Sequence, residues 1–258
     1  MGDLDIGDLT ARHALVTGGG RGIGRAVASA LTARGARVTV TGRNAGPLQE
    51  TVAAGGALGF FTADVTDAEA LRRGIEAAAA QRGPVDILVA NAGGAASAPF
   101  TNGGSATFRG MIDLNLMGTV NAVDAVVGGM SARGFGRIVA VASTAGLKGY
   151  AYVSGYCAAK HAVIGLVRSL ALEVGSRGVT VNAVCPGFTD TDLVRESVAR
   201  IVAKTGRSHD GALAEFTRHN PLGRLIAPEE VAATIAFLCS ALAGGINGAA
   251  LTVAGGEL

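Results

Sequence analysis

Charge is scarce and balanced in this chain. Of 258 residues only 16% are charged, 22 Lys and Arg against 20 Asp and Glu, for a formal net charge of +2. The two signs are interspersed, so there is no electrostatic footprint for nucleic acid or an anionic membrane. Cysteine is nearly absent. Cys157, Cys185 and Cys239 have neither a pairing count nor a ligand spacing, as expected of reduced thiols in a cytoplasmic protein. His13, His161, His209 and His219 share no ligand spacing either, so no metal is expected. No window approaches the ~18 uncharged apolar residues that would span a bilayer. The opening MGDLDIGDLT lacks a basic region and an apolar stretch, so no signal peptide is expected, and Ile6 stands where myristoylation needs Ser or Thr. Aromatic residues make up only 4%, and six prolines face forty glycines.

What is present is apolar: 49% of the chain, too much for disorder and enough for a full core. The length suits one large α/β domain over residues 1–258 better than two small ones. Short β-branched runs at 13–16, 37–40, 59–62, 85–89, 137–141, 179–184 and 250–253 alternate with helical patterns at 22–34, 67–82, 155–175 and 228–239. Apolar strands separated by helical crossovers predict a doubly wound, Rossmann-type parallel sheet of about seven strands with helices on both faces. Its ligand crevice would lie at the carboxyl ends of the strands. The stretch 188–220 is polar, lacks a strand pattern, and is expected to form a substrate lid.

The first run leads into Thr17-Gly18-Gly19-Gly20-Arg21-Gly22-Ile23-Gly24 and then a helix. Glycines in such a turn bring backbone close to a pyrophosphate and let the helix pack on the strand, while the helix N-terminus offers free N–H groups to the anion. The spacing is not G-x-G-x-x-G. It is not a P-loop either, because Arg25-Ala26 replaces the Lys-Ser/Thr pair. A glycine-rich turn with no ligand is the plainer alternative. Downstream, Ser143, Tyr156 and Lys160 combine a hydroxyl, a phenol and an amine, the last two at i and i+4 on one helix face. A phenol of pKa ~10 becomes a useful proton carrier only if a nearby ammonium favours its anion, so a lowered Tyr156 pKa is expected.

Taken together, T-G-x-x-x-G-x-G, the later Asp64-Val65, Ala90-Asn91-Ala92-Gly93, Asn115, and Ser143 with Tyr156 and Lys160 resemble the short-chain dehydrogenase/reductase family. The resemblance runs from about residue 10 to the C-terminus. It implies that Tyr156 donates a proton as hydride leaves the nicotinamide and that Ser143 hydrogen-bonds the substrate oxygen. Lys160 would hold the nicotinamide ribose, and Asn115 a water leading from Lys160 to solvent. It also implies a dinucleotide held by Gly18, Gly20, Arg21, Gly22, Ile23 and Gly24, with Asp64 and Val65 at the adenine and Asn91, Ala92 and Gly93 beside it. Cys185-Pro186-Gly187-Phe188-Thr189-Asp190-Thr191 resembles the family's Pro-Gly loop, in which Pro186, Gly187, Thr189 and Thr191 would meet the cofactor. After the second strand Gly42 stands where NAD-preferring relatives carry Asp, and Arg43 follows. With Arg21, it would suit the 2′-phosphate of NADP(H), NAD(H) remaining open.

The segments 220–224 and 246–248 resemble the 3-oxoacyl-thioester reductase branch, including aromatic polyketide ketoreductases. That implies a β-keto acyl group on CoA or an acyl-carrier protein, with Arg133 and Arg177 expected near the mouth to meet an acidic carrier. Another ketone or alcohol (cyclic, sugar, polyol or steroid) is the alternative, and a non-catalytic dinucleotide-binding regulator a remote one. The family resemblance further implies a homotetramer assembled through helices over 103–131 and 151–175. Ala254 replaces an Asp common in relatives, which leaves one contact at that end open.

Overall fold

Every residue of the strand runs at 13–17, 87–90, 136–141 and 179–186 is buried, the pattern of strands covered on both faces. The computed structural model describes residues 7–218 and 220–258; the expectations for the N-terminal segment 1–6 and for His219 lie outside the described residues. Seven strands, β1 (His13–Thr17), β2 (Arg37–Gly42), β3 (Gly59–Thr62), β4 (Ile87–Ala90), β5 (Gly136–Val141), β6 (Val179–Pro186) and β7 (Ala250–Val253), form one sheet. Their order is β3-β2-β1-β4-β5-β6-β7, with every pair parallel. The fold is thus the Rossmann-type doubly wound sheet expected.

Alternation along each strand divides the core in two. Val16, Val40, Val89 and Val139 face α1 (Gly22–Thr32), α2 (Ala45–Ala53) and α9 (Pro228–Cys239) through Val27, Leu48 and Ile235. Leu15, Leu88, Ile138 and Val181 face the opposite layer: α3 (Ala68–Arg82), α5 (Gly118–Arg133) and α6 (Ser154–Val174), through Leu71, Val126 and Val163. Strand order reverses between β1 and β4, so their C-terminal loops part and leave a crevice above the sheet.

Two expectations are corrected. The helix expected over 103–131 is α4 (Phe100–Ile112), a π-helical turn at Asp113–Met117, and α5. Gly104 leaves helical geometry (φ 50°, ψ −161°), and the widened π turn accommodates the fully buried Asn115. Arg133 and Arg177 do not lie near the mouth. Arg133 ends α5 and donates to Val85 O (2.7 Å) just before β4 begins, and Arg177 immediately precedes β6. In a parallel sheet helices return the chain to the amino edge, so both arginines stand about 15–20 Å from the carboxyl edge. The strandless stretch 188–220 folds mainly as two helices, α7 (Asp192–Thr205) and α8 (His209–Thr217). Val194, Val198 and Ala212 give them a small apolar cluster apart from the sheet core. His13 is a core histidine, bonded to Gly83 O (2.7 Å) and Thr39 Oγ1 (2.9 Å).

Candidate active site

The two loops flanking the strand-order reversal are tied together. The backbone N–H groups of Asn91 and Ala92 donate to Thr17 Oγ1, each at 3.0 Å, and Asn91 Nδ2 donates to Thr17 O (2.9 Å) and Gly18 O (3.2 Å). Asn91 therefore shapes the glycine turn from beside it. Gly24 is required by close packing: a Cβ there would stand 2.2 Å from Gly18 O. Helix α1 starts at Gly22 with Arg21 as its N-cap and no side-chain cap, so the first N–H groups of Gly22 and Ile23 point into the crevice without intrahelical partners. Arg25 is committed, donating to Gly20 O through Nε (3.0 Å) and Nη2 (2.6 Å) and pairing with Glu50. Arg21 and Arg43 are exposed, and among the described residues neither forms a hydrogen bond or ion pair. The N-terminal donors and these two uncommitted cations fit a phosphorylated dinucleotide. Asp64 Oδ1 accepts from the Thr66 N–H (2.9 Å) and hydroxyl (2.8 Å), and these bonds hold its carboxyl below the usual range, helped by the Arg43 charge. The neighbouring Val65 carbonyl accepts from Asn121 (2.9 Å).

At the centre of the carboxyl edge stand the three candidate catalytic groups. Ser143 lies two residues past the end of β5 and caps a 3-10 turn, Thr144–Gly146, where Oγ accepts from Ala145 N–H (3.1 Å). Helix α6 presents Tyr156 and Lys160 one turn apart. The Tyr156 and Ser143 side chains lie close enough for Ser143 to act on the phenol electrostatically. Lys160 is 4% exposed, donates to Val141 O (2.8 Å), and holds Nζ 5.7 Å from the Tyr156 ring centre. Behind them the buried Cys185 thiol, pushed up to about 11 by burial, accepts from the Ser143 N–H and stays neutral.

The electrostatics differ from the sequence expectation. Burial raises the Tyr156 phenol above its ordinary value, with the Ser143 side chain opposing this. Burial also brings the Lys160 ammonium from 10.5 down to about 8. Burial is the largest cause at both groups, and in the chain alone Tyr156 is a protonated phenol at neutral pH. Asn115 is occupied as well: Nδ2 donates to Gly94 O (2.9 Å) and Met111 O (3.0 Å), and Oδ1 accepts from Gly94 N–H (3.1 Å). Gly93 lies between it and Lys160, where a Cβ would stand 2.7 Å from Asn115 Oδ1 and 3.6 Å from Lys160 Nζ.

The Pro-Gly loop closes the rim. Pro186 ends β6, Thr189 bridges to Ile226, and Thr191 caps α7 with Oγ1 against Thr189 O (3.3 Å). Ala254 is buried against Gly187, which answers for the missing Asp at that end with an apolar contact. Sequence reasoning missed Tyr150 and Glu257. The Tyr150 hydroxyl donates to Glu257 Oε1 and shares a 2.8 Å bond with Thr144 Oγ1. One signal was available: all three tyrosines fall within residues 150–156.

The chain compares closely with known proteins. A profile of the family described as "short chain dehydrogenase" matches residues 12–201. The acetoacetyl-CoA reductase of Shinella zoogloeoides is 36% identical over 247 residues, 96% of this chain and 98% of that one. The 3-oxoacyl-[acyl-carrier-protein] reductase MabA of Mycobacterium bovis is 38% identical over 248 residues, covering 96% and 93%. Among solved structures, an actinorhodin polyketide ketoreductase variant with NADPH superposes with a TM-score of 0.89 at 35% identity, covering 95% and 97%.

Proposed function

This chain belongs to the short-chain dehydrogenase family and is an oxidoreductase, and we propose that it reduces the β-ketone of a 3-oxoacyl thioester, on CoA or an acyl-carrier protein, with NADPH. The observation that carries the reading is the Ser143–Tyr156 pair at the carboxyl edge, backed by the buried Lys160 one helical turn on. The choice of substrate is supported by relatives of nearly full coverage that are named acetoacetyl-CoA reductase and 3-oxoacyl reductase. NADPH is supported by the uncommitted Arg21 and Arg43 and by the NADPH carried by a ketoreductase of the same fold.

A bound nicotinamide would supply the hydride that the carbonyl carbon accepts. Ser143 Oγ–H donates to the substrate oxygen and so stabilises the charge that develops there. Tyr156, protonated at neutral pH, gives its proton to that oxygen. Lys160 would hold the ribose hydroxyls, and Asn115 a water leading from Lys160 to solvent. Gly18, Gly20, Gly22, Ile23 and Gly24 receive the pyrophosphate, Asp64 and Val65 the adenine, Asn91, Ala92 and Gly93 its neighbouring ribose, and Pro186, Gly187, Thr189 and Thr191 the nicotinamide end. Residues 188–220 act as the lid, an assignment supported by their separate apolar cluster. The same reading includes one catalytic domain over the whole chain, a cytoplasmic location supported by three unpaired buried thiols, and a homotetramer. Leu172, 87% exposed on α6, and Met117, 41% exposed on the π turn, support the last. Among the described residues no helix is long and apolar enough to cross a membrane.

Nucleotide oxidation with NADPH and NADH in parallel, against acetoacetyl-CoA and a set of small ketones, tests this directly. Rapid NADPH oxidation with the thioester is expected. Activity confined to cyclic or simple ketones would move the chain to that alternative, and NADPH binding without any turnover would favour the non-catalytic one.

A further inference from the structure

The C-terminal end of the chain meets three segments of the catalytic rim. After β7 it turns through Gly255 and Gly256, both at positive φ, and packs against Asn220 and Pro221 at the end of the lid region. It then places the side chain of Glu257 inside the protein, only 2% exposed. That carboxylate has three kinds of neighbour. Oε1 accepts from the Tyr150 hydroxyl and lies 3.2 Å from Lys148 Nζ. Lys148 also donates to the Glu257 backbone carbonyl at 3.1 Å. Oε2 lies against the Pro-Gly loop, where a Cβ on residue 187 would stand only 2.9 Å from it. Tyr150 in turn reaches Thr144 Oγ1 (2.8 Å), the residue next to Ser143, and packs edge-on against Phe188 at 6.1 Å.

We infer that Glu257 is a positioning residue: its buried carboxylate, acting through Tyr150 and Thr144 on one side and Gly187 on the other, sets the place of Ser143 and the substrate wall formed by Tyr150 and Phe188. The inference rests on Ser143 being the donor to the substrate oxygen. Its physical basis is the expense of the alternative. A buried carboxylate must be paired, and the groups that satisfy it are side chains of the very loop that carries Ser143. Tyr150 is thereby removed from proton transfer, since partial burial and the bond from its hydroxyl to a carboxylate raise its pKa well above that of a free phenol. Tyr156, which has no carboxylate partner among the described residues, remains the available acid. The wall therefore affects how the carbonyl is held, while the glycine turn and the arginines that hold the nucleotide lie outside the clamp.

The test compares Glu257→Ala with Glu257→Gln, which keeps an acceptor for Tyr150, and adds Tyr150→Phe to wild type and to Glu257→Ala. With acetoacetyl-CoA and with cyclohexanone, Glu257→Ala should raise the carbonyl KM about tenfold, the loss expected when a binding wall is loosened. NADPH affinity by calorimetry should stay within about twofold, and Glu257→Gln should recover most of the KM. Tyr150→Phe should add little to Glu257→Ala, because both cut the same connection. Hydrogen exchange gives a readout without turnover: amides in 142–152 should exchange about tenfold faster in Glu257→Ala, with the glycine turn unchanged. Unaltered exchange there overturns the inference. So does a lower Tm with an unchanged KM, a matching loss of NADPH affinity, or full additivity with Tyr150→Phe. A wild type that reduces neither ketone would instead refute the proposed substrate class, and exchange alone would then decide the clamp.

Discussion

Nucleotide choice gives the sharpest expectation, because the groups concerned are exposed and separable from the chemistry. In the proposed reading Arg21 and Arg43 receive the adenosine 2′-phosphate, and among the described residues neither side chain is committed to another. A guanidinium ~4 Å from one negative charge gains about 1 kcal/mol in bulk water and about 4 at an effective dielectric of 20. Both residues face solvent, so the lower end applies, and a nearly dianionic phosphate raises it to about 1.5 kcal/mol per arginine. That corresponds to roughly a tenfold loss in kcat/KM for NADPH in Arg43→Ala or Arg21→Ala, and up to ~100-fold in the double variant if the two act independently. NADH kinetics should shift by less than about twofold, since no charge is lost opposite a hydroxyl. The reverse change is also accessible. A Cβ at Gly42 would stand 3.7 Å and 4.0 Å from the two Leu48 methyls, ordinary contact, so Gly42→Asp fits without displacing β2. Its carboxylate would repel the phosphate and accept from the ribose 2′-hydroxyl, improving NADH at the expense of NADPH. Steady-state kinetics with both nucleotides, repeated at low and high salt, measure all of this. Equal losses with NADPH and NADH, or a wild-type NADPH KM indifferent to ionic strength, would refute the reasoning.

Tyr156→Phe should lower kcat by at least ~10²-fold with little change in nucleotide affinity, as loss of a positioned acid implies, and near-normal turnover would remove Tyr156 from the mechanism. Lys160 should show a conflict between activity and stability. Its drop from 10.5 to about 8 corresponds to about 3 kcal/mol that folding loses whenever the ammonium is charged. Between pH 8 and 10.5 the unfolded chain binds the extra proton, so wild-type stability from this group rises with pH across that window and the loss is full below it. Lys160→Met should therefore abolish turnover yet raise Tm by about 4–8 °C at pH 7, allowing for the lost bond to Val141 O. Thermal unfolding from pH 7 to 10.5 should show that advantage disappearing. A variant less stable than wild type at pH 7 would mean that the Val141 bond outweighs the burial of the charge.

Much of this site was legible because its chemistry is local in sequence. Tyr156 and Lys160 must share a helix face, and a spacing of four residues puts them there in any α-helix. The glycine turn must follow a strand and open a helix, and both neighbours announce themselves by their periodicity. The placement of Arg133 and Arg177 was a different kind of error: both follow helices and precede strands, so a parallel sheet sends them to the amino edge. The π turn at Asn115 left no such mark, since an extra residue in a helical turn changes no hydrophobic pattern that the flanking helices do not already supply.

The sequence by itself determined the order of strands and helices, the doubly wound parallel sheet, and the phenol–amine pair at one helix turn, because these depend on periodicity and on spacings of a few residues. Only the tertiary structure decided which way the Tyr156 and Lys160 pKa values move, since burial is a property of everything packed around a group. Tertiary structure likewise brought Glu257 to Tyr150 across 107 residues. No local propensity encodes a contact of that span; it forms only when β7 takes the edge of the sheet and carries the end of the chain back over the catalytic loops.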